Sequence, residues 1–370
     1  MNRRSERGQR GFVLAVVLWS VAALTLITGS IIAMINNTLN QAYAMRDLAR
    51  LEQDIMATEQ TLLYLLSARP HNESGADLAW DQHDPESQRD PFAPRTQHSL
   101  EGPTLRFDST RYQGIGRAAF SLQDAGATLS LREPERGDWL RVMQLLGVEG
   151  SRADQWYDQL MDYQDLDSFS RLNGAEQDEY RELGLPPPAD RLLITPHELR
   201  NLPLAREYPD VTEALILAST PGTGTMANLN TSPALLLRLV HWLGEADAQR
   251  LVEERALAVT RSLGDASMRY GMLFQGDFQT VWQPTGNIRI MLGDQQGRHK
   301  RWLEVEFRPM VDGAPWTIEY SHPVNVTQRP QEFGTADVLN PSVSTETASH
   351  ASAWPPYSTF FPPQLPLDGR

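Results

Sequence analysis

The 370-residue chain has no cysteine. That excludes a disulfide framework, thiolate metal sites and a cysteine nucleophile, and it is compatible with an oxidising compartment. Positive charge is also in short supply. Lys and Arg number 33 against 47 Asp and Glu, a net charge of -14. A nucleic-acid binder needs a basic face for phosphate, so this balance argues against that class. Neither a Gly-x-Ser-x-Gly elbow nor His-Glu-x-x-His occurs, and no other catalytic constellation emerges. Pro221-Gly222-Thr223-Gly224-Thr225 has glycines but lacks the lysine of a phosphate loop. It reads as a surface loop. His241 and Trp242 close a helical segment and read as packing or surface residues.

One apolar run is long. From Phe12 to about Ile35 the chain is broken only by small or hydroxyl-bearing residues, and roughly 20 apolar residues suffice to cross a bilayer. Arg3, Arg4, Arg7 and Arg10 precede it, against the single acid Glu6. The positive-inside rule places that end in the cytoplasm and everything beyond about Asn36 outside the inner membrane. A cleaved signal peptide would carry its cut site after the apolar region. Here the candidate processing site, Gly11-Phe12, stands before it, so cutting leaves the helix on the mature protein.

The helical pattern continues beyond the membrane run. Leu48, Leu51, Ile55, Leu62, Leu65 and Leu66 recur at helical spacing up to Arg69-Pro70, which predicts one helix from Phe12 to Ala68, apolar all round and then amphipathic. The alternative is a membrane anchor followed by a separate surface helix. Residues 70–103 read as irregular loop. Tyr112–Ile115, Ala119–Leu122 and Thr128–Leu131 predict strands, with a turn at Asp124-Ala125-Gly126. Helices follow at Trp139–Leu146 and Arg152–Met161, at the capping box Thr195-Pro196-His197-Glu198, from Ser232-Pro233-Ala234 through Val240 and Leu243, and at Asp247–Leu257. Strands return at Gly276–Trp282, Asn287–Leu292, Trp302–Phe307 and Trp316–Tyr320, with a hairpin loop at Gly293–Gly297. From about Asp337 the composition predicts a disordered tail.

The fold class expected is α+β: a long amino-terminal helix packed on an antiparallel sheet, with a large all-helical domain inserted in the sheet connection. The boundaries are 1–11 leader, 12–69 transmembrane and spine helix, 70–133 first part of the α/β head, 134–265 inserted helical domain, 266–336 returning strands and 337–370 tail.

The densest carboxylate cluster is Asp162-Tyr163-Gln164-Asp165-Leu166-Asp167, followed by Gly174-Ala175-Glu176-Gln177-Asp178-Glu179-Tyr180. Asp165 and Glu176 are spaced like the first and last ligands of a twelve-residue calcium loop, with Asp167 at the third position. Phe169 and Ser170 stand where an oxygen ligand and a glycine belong, so this is no EF-hand. Two readings stay open: carboxylates converging on a hard cation, or a solvated acidic loop between helices. In Asn228-Leu229-Asn230-Thr231-Ser232-Pro233 the Asn side chains suit a turn, and Thr231 or Ser232 suits a cap for the helix that Pro233 opens.

Taken together these motifs resemble the protein K family of type II secretion minor pseudopilins, over roughly residues 8–310. The resemblance rests on the Gly11-Phe12 leader junction, on Asp162–Asp167 with Gly174-Ala175-Glu176 and Tyr180, on Glu198-Leu199-Arg200, and on Asn228-x-Asn230-Thr231-x-Pro233. Related pilins carry glutamate at the fifth mature position. Counted from Phe12 that residue is Val16, as in protein K. The resemblance implies a pilin-like head with a large helical insertion and a non-enzymatic role at the pseudopilus tip with minor pseudopilins I and J. It implies cutting by the prepilin peptidase after Gly11, with methylation of Phe12, and contact with the major pseudopilin and the inner-membrane assembly platform. It also implies calcium in the helical insertion, for which Asp165, Asp167, Glu176 and Asp178 are the candidates. Gln177 and Glu179 depart from the family pattern, and the Pro/Ser-rich tail is no part of it. The rivals are a minor pilin of a surface pilus, a membrane-anchored periplasmic hydrolase using the acidic cluster, and a plain inner-membrane adaptor.

Overall fold

The computed structural model describes residues 9–78, 104–222, 224–255, 257–271, 274, 280–294, 300–308 and 314–324. It divides into two compact units, Met1–Asp54 and Ile55–Arg370.

The first unit holds most of helix α1, Gln9–Ala68. Residues 13–50 are all exposed, among them Trp19 at 79% and Leu26 at 76%. The helix is long and apolar enough to cross a membrane, with an 18-residue window of mean hydropathy 2.1. Its hydroxyls suit that medium. Ser20, Thr25 and Thr28 each donate to the carbonyl four residues back, on Val16, Val21 and Leu24, at 2.8 Å. Ser30 donates to Ile27 O at 2.7 Å. In lipid such groups must be satisfied within the segment.

The second unit begins with the last turns of α1, where Ile55, Leu62, Leu63 and Leu66 are buried. The strands that follow are β1 (Gly75–Asp77), β2 (Thr104–Arg106), β3 (Asp108–Gln113), β4 (Ala118–Asp124) and β5 (Leu129–Ser130). Next come helices α2 (Arg136–Leu145), α3 (Gly150–Gln164), α4 (Gln177–Glu182) and α5 (Pro209–Ala218). Short strands β6 (Ser219–Thr220) and β7 (Ala227–Asn228) lead to α6 (Ala234–His241), α7 (Glu245–Glu254) and α8 (Leu263–Tyr270). The chain closes with β8 (Thr280–Val281), β9 (Asn287–Asp294), β10 (Lys300–Phe307) and β11 (Trp316–Val324).

The main sheet has five strands in the order β11-β10-β9-β4-β3, every neighbour antiparallel. All of β4 is buried, as expected of a strand covered on both faces. Because side chains alternate across a strand, Leu122, Ile288, Ile290, Leu303 and Val305 share one buried face. Gln123, Arg289, Met291, Trp302 and Glu304 share the other. The last turns of α1 are tied to the sheet region by polar contacts. Ile115 N donates to Thr58 Oγ1 at 2.9 Å, and Arg301 pairs with Glu59 at 2.9 Å. Gly114 permits the first, since a Cβ there would stand 2.6 Å from Thr58 Oγ1.

The helical segment packs on the second face. Its core runs through Trp139, Trp156, Leu160, Leu199 and Leu215 to Trp302 of β10. A buried polar junction fastens the two. Arg289 Nη1 donates to Leu217 O at 3.0 Å, and its Nη2 reaches Ser219 O and, at 3.2 Å, Glu304 Oε2. Thr220 Oγ1 and Tyr320 OH donate to the same carboxylate, at 2.6 and 3.0 Å. A buried ion pair holds only when its remaining lone pairs are bonded in this way.

Several sequence expectations need adjustment. The strand expected at Tyr112–Ile115 is β3, which stops at Gln113. The turn at Asp124–Gly126 is a 3-10 turn over Ala125–Ala127. The helix expected through Leu243 stops at His241, where Trp242 takes a left-handed conformation (φ 59) under the Arg141 guanidinium. Helix α8 straddles the boundary drawn at 265. Of the strand expected at Gly276–Trp282, residues 280–282 are described, and the strand there is Thr280–Val281. Most of the 70–103 loop, the remainder of the Gly293–Gly297 hairpin loop and the 337–370 tail lie outside the described residues.

Candidate functional site

Helix α3 explains how the acidic run is placed. Ala153, Trp156, Leu160 and Tyr163 recur at helical spacing and are buried, which fixes the rotation of the helix. Asp158 and Asp162, four residues apart on its flank, are thereby held under the loop to α4. Both are buried, Asp162 completely. The loop's backbone is bound to them. Arg171 N and Ala175 N donate to Asp162 Oδ2 at 3.0 and 3.1 Å. Asn173 reaches Asp158 Oδ2 through its backbone N at 3.3 Å and its Nδ2 at 3.0 Å. The Arg171 guanidinium bridges Asp162 Oδ1 at 2.5 Å and Asp165 Oδ2 at 2.6 Å. Gly174 is required by close approach, because a Cβ there would overlap Asp162 Oδ2. That gives the Gly174-Ala175-Glu176 motif its physical meaning.

Negative charge exceeds positive at this point. Burial, reinforced by the charges of Asp162, Asp165, Asp190 and Asp167, pushes the Glu176 carboxyl up to about 7. Burial also raises Asp162, against the hydrogen bonds it accepts from Arg171. For Arg171, burial alone would lower the pKa, but its bonds to Asp165 and Asp162 raise it above the usual guanidinium value. Two buried carboxylate oxygens, Asp165 Oδ1 and Glu176 Oε1, have no hydrogen-bond partner. Oxygen donors of this kind suit a hard cation such as calcium.

Arg171 thus ties Asp165 to Asp162, and the charges of both reach Glu176. Asp162 stood in the acidic run but was not among the candidates. Asp167 is exposed and accepts from Phe169 N at 2.9 Å, while its charge still reaches Glu176. Asp178 stands apart, exposed on α4 and paired with Arg181 at 2.6 Å. Among the described residues no three carboxylate or imidazole groups are already grouped to hold a metal ion. Arg171 occupies the space between Asp162 and Asp165. Its role was not legible because it lies outside the two acidic runs. Of the processing pair, Gly11 and Phe12 fall within α1, near its start, and nothing is described of their side chains.

The other two motifs are structural. Glu198 Oε1 accepts Ile194 N at 2.8 Å and Thr195 N at 3.1 Å, and Arg200 forks onto Glu213 at 2.7 and 2.8 Å. Asn230 trades two bonds with the backbone of Thr260, at 2.9 and 2.8 Å. Thr231 Oγ1 donates to the buried Asp124 at 3.1 Å. Burial pushes that carboxyl up to about 6, despite bonds from Thr285 and Thr231. The capping expected of Thr231 or Ser232 is not found, because Pro233 is the N-cap of α6 and neither hydroxyl caps it. Ser232 Oγ instead donates to Ala127 O at 2.9 Å.

A helix long and apolar enough to span a bilayer and an α+β unit with a helical segment packed on its sheet define the class: an α+β protein with a candidate membrane helix, whose acidic loop is held by its own helix. Comparison with known proteins adds a likeness over one segment. Residues 120–209, from β4 to the start of α5 and including the whole acidic loop, match the model described as "Type II secretion system (T2SS), protein K". No curated protein matches the chain. Among solved structures the chain is similar to one from "The Crystal Structure of the GspK-GspI-GspJ complex from enterotoxigenic Escherichia coli Type 2 Secretion System". The two are 15% identical with a TM-score of 0.48, and the match covers 77% of this chain and 99% of that one.

Proposed function

We propose that the chain is a minor pseudopilin of the type II secretion system that caps the tip of the periplasmic pseudopilus and helps initiate its assembly for the export of folded proteins. The observation that supports this most is the protein K match over residues 120–209, on a chain whose first helix can cross a membrane. In this reading the prepilin peptidase cuts after Gly11, and Phe12 becomes a methylated amino terminus. The arginines before the helix keep that end in the cytoplasm, with a single pass through the inner membrane and the head in the periplasm. At the assembly platform α1 leaves lipid and buries its apolar surface among the helices of the major pseudopilin and of minor pseudopilins I and J. A buried carboxylate needs a cationic partner. A tip subunit has no neighbour above it, and Val16 fits that position. A head carrying α2–α8 on its sheet is bulky, which suits a cap better than a shaft.

For the acidic loop the proposal is a structural calcium ion held by Asp165, Asp167 and Glu176 together with Asp162. The ion supplies the positive charge that two orphaned carboxylate oxygens lack. Arg171, already partly exposed, would turn towards solvent.

The test of the main reading is the intact mass of protein purified from cells. Loss of residues 1–11 with gain of one methyl group is expected. Retention of Met1, or a start beyond Asn36, overturns it.

A further inference from the structure

The loop that the buried aspartates hold also carries three large apolar side chains into solvent. Leu166, Phe169 and Leu172 are 87%, 83% and 96% exposed. Single exposed apolar residues are ordinary, whereas a cluster rimmed by polar groups marks an interaction site. These three lie within seven residues, on a backbone bound at Phe169 N, Arg171 N, Asn173 N and Ala175 N to carboxylates of Asp167, Asp162 and Asp158. The cost of ordering the loop is therefore met before any partner arrives, which favours binding. Its core-facing work is done by other residues, so packing does not account for Leu166, Phe169 and Leu172.

The charge around them selects the occupant. Arg171, the loop's own cation, is paired with Asp162 and Asp165, and α4 adds exposed Asp178, Glu179 and Glu182 against Arg181. An anionic lipid surface would be repelled. A second copy of this chain, itself at -14, would bring like charge to like. A basic protein surface is attracted and steered onto the loop.

We propose that the 165–173 loop is a docking knob for a protein partner that offers an apolar cleft rimmed by lysine and arginine. Leu166, Phe169 and Leu172 enter the cleft, and the exposed carboxylates of α4 meet its rim.

The test uses the full chain in its own cells, with a photo-crosslinking phenylalanine analogue at position 169 and a control at the exposed Met268 on α8. Expected is a light-dependent adduct with another protein, whose crosslinked peptide is apolar with flanking Lys or Arg. Adding Leu166→Ser and Leu172→Ser should cut its yield by about ten-fold, as loss of buried anchors does. Raised salt should weaken it further. Melting of the Leu166→Ser/Leu172→Ser protein should match that of the parent, since both side chains are exposed. If the double variant melts early, the single Leu172→Ser variant gives the same comparison. No adduct, an adduct to lipid or to a second copy, a crosslinked peptide without basic residues, or a yield indifferent to both substitutions overturns the proposal.

Discussion

Asp162→Ala tests whether the acidic loop is held from below. The substitution strips the acceptor from Arg171 N and Ala175 N and removes one of the two carboxylates on the Arg171 guanidinium. Breaking a fully buried charged network costs about 3–5 kcal/mol. The guanidinium is 37% exposed, so solvent screens its share and the lower end applies, about 3 kcal/mol. For a unit of this size each kcal/mol moves the midpoint by about 2–4 °C, so Tm should fall by roughly 6–12 °C. Asp162→Asn keeps a carbonyl oxygen for the two amides but loses the charge and the acceptor of the Arg171 guanidinium, so it should cost less than the alanine, on the order of 1–2 kcal/mol. Thermal melting with chelator present, together with hydrogen exchange at the Arg171 and Ala175 amides, reads both effects. Equal melting of all three proteins with unchanged exchange at those amides would refute the clamp.

Gly174→Ala should act as a partial copy of Asp162→Ala, because the added methyl displaces the carboxylate; its loss of Tm should largely vanish in an Asp162→Ala background. For calcium, chelator should lower the Tm of the parent, and Asp165→Asn should abolish that shift. An unchanged Tm on chelation removes the ion from the loop. Asp108 governs acid stability elsewhere. Burial alone would raise its pKa, but Arg106 and Arg255 more than offset this and hold it at about 2, below the ordinary 3.8. A depressed acid stabilises above its unfolded pKa, and the contribution disappears as pH falls through the folded one. Asp108→Asn should therefore cost about 2 kcal/mol at neutral pH, and its Tm should converge on that of the parent between pH 3.8 and 2.

The features readable beforehand were those with a strong period or a local signature. Helix α1 announced itself through unbroken apolarity followed by helical spacing at Ile55, Leu62 and Leu66. Strands β9 and β10 did so through alternation, and Thr195 with Glu198 through a local capping box that the structure forms. Two-residue strands were not readable. β5 pairs with β6, and β7 with β8, across long stretches of chain, and two residues carry no period. In the acidic loop the residue types were visible, but their directions were not. Asp178 turns to Arg181 because a helix brings residues three apart together, whereas Asp162, four residues beyond Asp158 on a buried flank, turns inward. Arg171 could be placed only once α3 and the loop were folded against each other.

Strands β4 and β9 lie side by side in the sheet, yet the first ends at Asp124 and the second begins at Asn287. During synthesis β4 must wait for everything between them to leave the ribosome before its edge is covered. Contacts of such long separation slow folding, and an apolar strand left with an open edge invites association with other chains. A polypeptide released before Asn287 would expose that edge, so protection by chaperones matters most while the helices are already made and the last three strands of the sheet are not.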